Sequence, residues 1–357
     1  MKLVYCNRSQ GYFSAIRKRC LRDLRWRRLR ARKRGGKLNY KSLSNHFGKI
    51  IFTRIKAPRT WGLHDPAQRR ELTKFIQNYK TVMLKSDGGA IVDFSLTETI
   101  YPAGGLLVHA ELDRISRLVR DRRRIRCKPA IANSRSDQAL KQVGMYDLVG
   151  HLYDDIPITD QTVVHWRHAT GVKAEGEEGW SVIGDLPEAS EGPLYKGITE
   201  ALTNAVHHAY QANRKGGNNI QGDKRWWMFS QEIDGLLTVV FCDLGIGIPK
   251  SLPLKKDIAL LEMLKKIRGN KADAAAIRIA TQLGKTSTFE DHRGKGLPQI
   301  LDAVRKAEHG ICNIYSNRGQ YGVASDGRVI ENQYTTSIYG TLIEWRVPLT
   351  EDKANDS

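Results

Sequence analysis

The sequence predicts a mixed α/β protein, in an α+β arrangement of two units behind a basic arm, and three observations predict it. Between about residues 60 and 155, β-rich runs alternate with amphipathic helical stretches. From Leu194 to about Pro348, a long helix is followed by a hairpin, two glycine-rich loops and terminal strands. Ahead of both, twelve Lys or Arg face a single Asp between Arg17 and Lys37. The chain of 357 residues therefore divides into an arm (1–55), a first α/β unit (56–158), a linker (159–193) and a second unit (194–357).

The arm is expected to be helical from Ser14 to Arg32, with Ile16, Cys20 and Leu24 on one stripe and a break at Arg34-Gly35-Gly36. Residues 17–37 supply +11 of the formal net charge of +20, which arises from 58 basic and 38 acidic residues. Such density repels itself and attracts polyanions, releasing counterions on a phosphate backbone. Arginine forks suit phosphates, and Trp26 among them can stack on a base or lie in a membrane interface. Nucleic acid, an acidic protein partner and an anionic membrane surface all remain open as its counterpart. The five cysteines form no C-x-x-C pair, which argues against a disulfide framework or a thiolate zinc site. No apolar run of membrane-spanning length occurs, and the first residues lack the apolar block of a secretory signal, so a cytoplasmic location is expected.

In the first unit, AQRRELTKFIQNYK after Pro66 reads as a helix, followed by a strand, a turn at Asp87-Gly88-Gly89 and a second strand, AIVDFS. LLVHAELDRISRLVRDRR is apolar at helical spacing. A strand CKPAIAN and a helix near Ser136 to Val143, ended by Gly144, complete the unit. The order AIVDFSLTETIYPAGGLLVHAEL, then strand, helix and MYDLVG, resembles the STAS domain of anti-sigma-factor antagonists. That resemblance implies a protein partner for this unit. The phosphorylatable hydroxyl of those switch proteins is missing, because the corresponding turn reads Tyr101-Pro102-Ala103-Gly104-Gly105.

A stretch rich in Gly, Glu and Pro, GVKAEGEEGWSVIGDLPEASEGP, marks the boundary to the second unit. There ITEALTNAVHHAY places Glu200, Asn204 and His207 or His208 on successive turns of one helix face. The two β-rich runs of RWWMFSQEIDGLLTVVFCD join at Asp234-Gly235, a hairpin signal. CDLGIGIP follows, with Asp243 at the strand end and Gly245 and Gly247 beyond it. A fixed carboxylate there can accept a hydrogen bond from an exocyclic amine, and the glycines let backbone approach a flat ring. HRGKGLPQILDAVRK then opens a helix with Gly294 and Gly296, flanked by Arg293 and Lys295, an arrangement that holds phosphate.

Taken in order, E-x-x-x-N, D-x-G-x-G, R-G-x-G-L and a closing Gly340-Thr341 strand resemble the Bergerat ATP site of the GHKL superfamily, over about 155 residues. The resemblance implies a two-layer α/β sandwich with ATP between helices and sheet, under a mobile lid. It implies that Asn204 coordinates Mg2+ and that Asp243 binds the adenine amine. Gly245 and Gly247 would line the base pocket, and Thr341 would lie near adenine. Gly294, Gly296 and Leu297 would sit at the phosphates, with Arg293 or Lys295 offsetting charge, and Glu200 would orient the attacking water. The insertion between Pro249 and His292 would supply the lid, with Lys285, Thr286, Ser287 and Thr288 near the γ-phosphate. EALTNAVHHAY is most similar to the anti-sigma-factor serine kinases, whereas DLGIGIPKSL is more like histidine kinases. His165 and His168 have no phosphoacceptor context and read as structural. Three activities stay open: an ATP-hydrolysing switch, a protein serine/threonine kinase, and a nucleotide sensor without turnover. Dimerisation in the ATP-bound state, frequent in the superfamily, is a further expectation.

Overall fold

The computed structural model describes residues 50–85, 88–119, 121–151, 158–174, 188–214, 223–255, 258–265, 272–283, 296–305 and 309–349. By its contacts the chain divides into Met1–Ile50 and one body, Ile51–Ser357. The basic window 17–37, Lys285 to Thr288, and Arg293, Gly294 and Lys295 lie outside the described residues.

The body has a mixed α/β fold. It opens with β1 (Ile51–Lys56), the two-residue β2 (Thr60–Trp61), α1 (Pro66–Met83), β3 (Gly88–Asp93), the two-residue β4 (Thr99–Ile100), α2 (Pro102–Val119), β5 (Ile125–Lys128), α3 (Arg135–Gln142) and the single turn α4 (Met145–Leu148). Strands β1, β3 and β5 form a parallel sheet in that order, with Ile55 opposite Val92 and Val92 opposite Cys127. Helix α1 starts where local chemistry dictates. Asp65 caps it, accepting from the amides of Ala67 and Gln68 at 3.0 and 2.8 Å, and Pro66 occupies the first turn, where its missing N–H costs nothing.

Several expectations about this part need correction: β1 falls largely within the stretch expected as arm, and Gly88 and Gly89, expected as a turn, open β3. Residues after Lys80, expected as a strand, continue α1 to Met83, because Leu72, Phe75, Tyr79 and Met83 keep one buried stripe in register. Burial of that stripe, at roughly 2 kcal/mol per large apolar side chain, outweighs the β preference of Thr81 and Val82. Helix α2 begins at Pro102, four residues before the expected apolar stretch at Leu106, and the small residues are what permit it. A Cβ at Gly104 would stand 2.2 Å from the Trp61 carbonyl oxygen.

The second part contains β6 (Arg167–Gly171), α5 (Glu188–Asn204), β7 (Trp226–Ile233), β8 (Leu236–Asp243), the short α6 (Ile248–Ser251), α7 (Ile258–Lys265), α8 (Ala272–Leu283), α9 (Gly296–Arg305), β9 (Ile311–Ser316), β10 (Gly319–Ala324), β11 (Val329–Gln333) and β12 (Thr341–Pro348). Seven of these strands make one antiparallel sheet, ordered β11-β10-β9-β12-β8-β7-β6. The β7–β8 hairpin turns at Asp234 and Gly235, both at positive φ (50° and 72°), as its Asp-Gly sequence requires. Edge strand β6 lies inside the stretch expected as linker. It pairs Ala169 with Met228, and its mixed burial left no clean alternation to read. Helix α5 starts at Glu188, six residues before the expected Leu194.

Both faces of the large sheet are covered. Trp226, Met228, Val239, Phe241, Ile314 and Trp345 pack under α5, α8 and α9, through Ile198, Leu202, Ile277, Ile300 and Val304. Trp227, Phe229, Val240, Cys242, Tyr315 and Leu342 share one core with Leu106, Val108 and Ile115 of the first part. Polar contacts cross the same seam. Buried Arg69 donates to the carbonyl oxygen of Asn317 at 2.9 Å, and the Trp227 indole donates to Asp113 at 3.1 Å. No helix among the described residues is long and apolar enough to cross a membrane.

Candidate functional site

A cavity of about 510 Å3, including its open mouth, lies between α5, the loop after β8, α9 and the sheet. Asn204, His208, Asp243, Gly247, Leu297 and Thr341 supply much of its wall, with Phe241, Ile300 and Ile343 behind them. The lining, mostly apolar with a few convergent polar groups, is of the kind that binds small molecules.

Asp243 ends β8 and pairs across the sheet with Trp226 and with Thr341, the first residue of β12. Only 5% of it is exposed. Its carboxylate accepts from the Gly245 amide at 2.9 Å and from the backbone and hydroxyl of Thr341. Burial nevertheless pushes its pKa up to about 6, and the guanidinium of Arg214 opposes that only weakly. Three donors reach this carboxylate, which leaves about one of its four lone-pair positions open to a further donor.

The loop beyond it is fixed by close backbone packing. A Cβ at Gly245 would lie 2.2 Å from the Ala209 carbonyl oxygen, which accepts from the Ile246 amide at 2.8 Å. Gly247 sits at φ 79°, and a Cβ there would meet the Asn317 side-chain nitrogen at 2.6 Å. That same nitrogen donates to the Ile246 carbonyl at 3.0 Å. The Ser316 hydroxyl accepts from the Ile248 amide at 2.8 Å and lies 3.3 Å from the Thr341 hydroxyl. Gly340 is required as well, since a Cβ would stand 2.2 Å from the Asp243 carbonyl.

Helix α5 ends at Asn204 and continues as a π-helical turn, Ala205–Ala209. Such turns are rare and concentrate at functional sites. This one delivers the Ala209 carbonyl to the loop after β8 and sets His208 on the cavity wall, while His207 is exposed. Asn204 borders the cavity with its Nδ2 buried and lacking a hydrogen-bond partner among the described residues. The unmet Nδ2 is a donor, so it fits an acceptor such as a phosphate or carbonyl oxygen, and only the Oδ1 end of this carboxamide could face a cation.

The expected site residues thus separate. Asn204, Asp243, Gly247, Leu297 and Thr341 meet at one cavity. Gly245 packs behind the wall against Ala209, and Gly296 opens α9 beside Leu297. Glu200, one turn before Asn204, is half-buried, and burial raises its carboxyl pKa, but it does not line the cavity. His168 packs against His109, ring centroids 5.8 Å apart, in the seam between the two parts. Sequence reasoning missed Ser316 and Asn317. The available signal was SNRG, where Asn317 adopts φ 51°, but it reads only as a turn between strands. No protein-family model matches the chain, and no curated protein matches it.

Proposed function

We propose that this cavity binds an adenine nucleotide together with Mg2+, and that the protein is a GHKL-type ATPase whose turnover drives a conformational switch. The observation that carries this reading is the buried, incompletely satisfied carboxylate of Asp243 at the floor of a largely apolar cavity. The adenine amine donates to that carboxylate, with the ring against Gly247 and the apolar wall. Thr341 holds the carboxylate in place. The phosphates run toward the N-terminus of α9, where the free amides of its first turn favour negative charge. Asn204 would ligate Mg2+ through its Oδ1, and the ion would neutralise phosphate charge. Glu200, kept basic by burial, would orient water.

Calorimetry with Mg2+ and ATP tests the reading. Asp243→Asn is expected to weaken binding by about 10- to 100-fold, the value of a hydrogen bond to a charged group. Equal affinity in wild type and variant would refute it. The position of Glu200 outside the cavity wall favours a second reading, a nucleotide sensor without turnover. Phosphate release from wild type that is abolished in Glu200→Gln, with binding retained, separates the two.

A further inference from the structure

Alternate side chains of a strand point to opposite faces of its sheet. In the three-stranded sheet, Ile55, Ala90, Val92 and Ile125 enter the core. The opposite set is Phe52, Arg54 and Lys56 on β1, Ile91 and Asp93 on β3, and Arg126 and Lys128 on β5. The parallel register aligns them in rows, with Ile91 between Arg54 and Arg126, and Asp93 between Lys56 and Lys128. Four cations therefore surround a single carboxylate. Asp93 is 1% exposed and is ion-paired with Arg54 at 2.6 Å, so it cancels one of the four charges and leaves three.

Lys56, Arg126 and Lys128 are exposed, and the Arg54 side chain is 49% exposed. Among the described residues, no carboxylate pairs with Lys56, Arg126 or Lys128. The Arg126 guanidinium lies over the Phe52 ring, 3.9 Å from its centroid. Cations two residues apart on one strand are about 6.6 Å apart, and β1 and β5, with β3 between them, are about 9.5 Å apart. The result is a flat grid of positive charge with aromatic and aliphatic surface between the charges.

The geometry points to this open face as a binding surface for single-stranded nucleic acid, separate from the nucleotide cavity and from the basic arm. Phosphates pair with Lys56, Arg126 and Lys128, while an unpaired base stacks on the Phe52 and Arg126 planes. A flat sheet cannot enter the groove of a duplex, which admits a protruding helix or ribbon. Insertion into a membrane calls for protruding apolar side chains, and Phe52 and Ile91 are instead partly buried between the cations.

The test is fluorescence anisotropy of the full-length chain with a labelled oligothymidine and an oligouridine across a salt series. Each phosphate contact adds about −0.7 to the log–log salt slope for a single strand. The triple variant Lys56→Gln, Arg126→Gln, Lys128→Gln is expected to flatten the slope by about 2 and to lose at least about tenfold in affinity at low salt. Phe52→Leu should weaken binding severalfold with the slope unchanged, since stacking carries no counterion release. Crosslinking of a 4-thiouridine oligonucleotide to the wild-type chain should label peptides containing residues 51–56 or 125–128. Unchanged slope and affinity in the triple variant, or crosslinks confined to residues 1–49, overturn the proposal. So does binding to anionic vesicles that the triple variant loses when no oligonucleotide is bound.

Discussion

Glu111 and Asp243, buried carboxylates on opposite faces of the seven-stranded sheet, are treated in opposite ways. On the face toward the first part, Glu111 of α2 is clamped between Arg114, at 2.9 Å, and Arg214, and its pKa falls to about 2. On the face toward α5 and α9, Asp243 has no salt-bridge partner among the described residues, and its pKa rises to about 6. Burial is similar at the two sites, 4% and 5% exposed, so the neighbouring cations decide the difference. A carboxylate that holds two parts of a chain together is neutralised by them. One left incompletely satisfied beside a cavity suits a ligand.

Removing Glu111 should break the comparison most severely. Glu111→Ala leaves Arg114 and Arg214 buried without their anion, which is expected to cost about 3–5 kcal/mol in denaturant unfolding. A loss below about 1 kcal/mol would mean that the clamp does not stabilise the seam.

The next effect is in pH dependence, and the two carboxylates oppose one another. Glu111 titrates lower in the folded chain than its ordinary value of 4.5, so its contribution is complete above that pH and is lost as pH falls toward about 2. Asp243 titrates higher than its ordinary 3.8, so ionising it disfavours the fold. That cost, on the order of 3 kcal/mol for a shift of about 2 units, is present above pH 6 and is relieved as pH falls from about 6 to 4. Nucleotide affinity should move the other way, declining below pH 6 as the acceptor is protonated. Calorimetry at pH 7.5 and 5 reads this directly, and equal affinities would show that the charged carboxylate is not what the ligand meets.

Arg69 sharpens the contrast by linking the faces. It is fully buried, lies over the Tyr334 ring at 4.1 Å, and bonds the backbone of Asn317, whose side chain in turn holds the loop at Ile246. Arg69→Met should cost about 2 kcal/mol of stability and weaken nucleotide binding severalfold, measured by thermal unfolding and calorimetry. The smallest effect comes from paired glycines. Gly247→Ala and Gly150→Ala each place a side chain at positive φ (79° and 68°), at about 1 kcal/mol. Only the first also collides with Asn317, so only it should impair binding.

Much of the fold was legible because its signals are local. The Asp234-Gly235 turn and the helix that follows Pro66 need nothing beyond neighbouring residues. The polar stripe of α5 was legible in the same way, through the spacing of Glu200, Asn204 and His208. Strand β6 and the extension of α1 to Met83 were not, because each depends on a partner distant in sequence: Trp226 to Ser230 for the strand, and the core stripe for the helix.

By itself the sequence determined which residues can carry chemistry: a strand ending in Asp243, the glycines after it, and Asn204 on a helix that enters the same region. Tertiary structure decided which of them meet. It placed Glu200 off the cavity wall, ended α5 in a π turn, set Ser316 and Asn317 behind the loop after β8, and covered the back of the sheet with the first part of the chain. Those outcomes rest on packing between residues far apart in sequence, where burial and the proximity of charges are set by the whole core rather than by any run of neighbours.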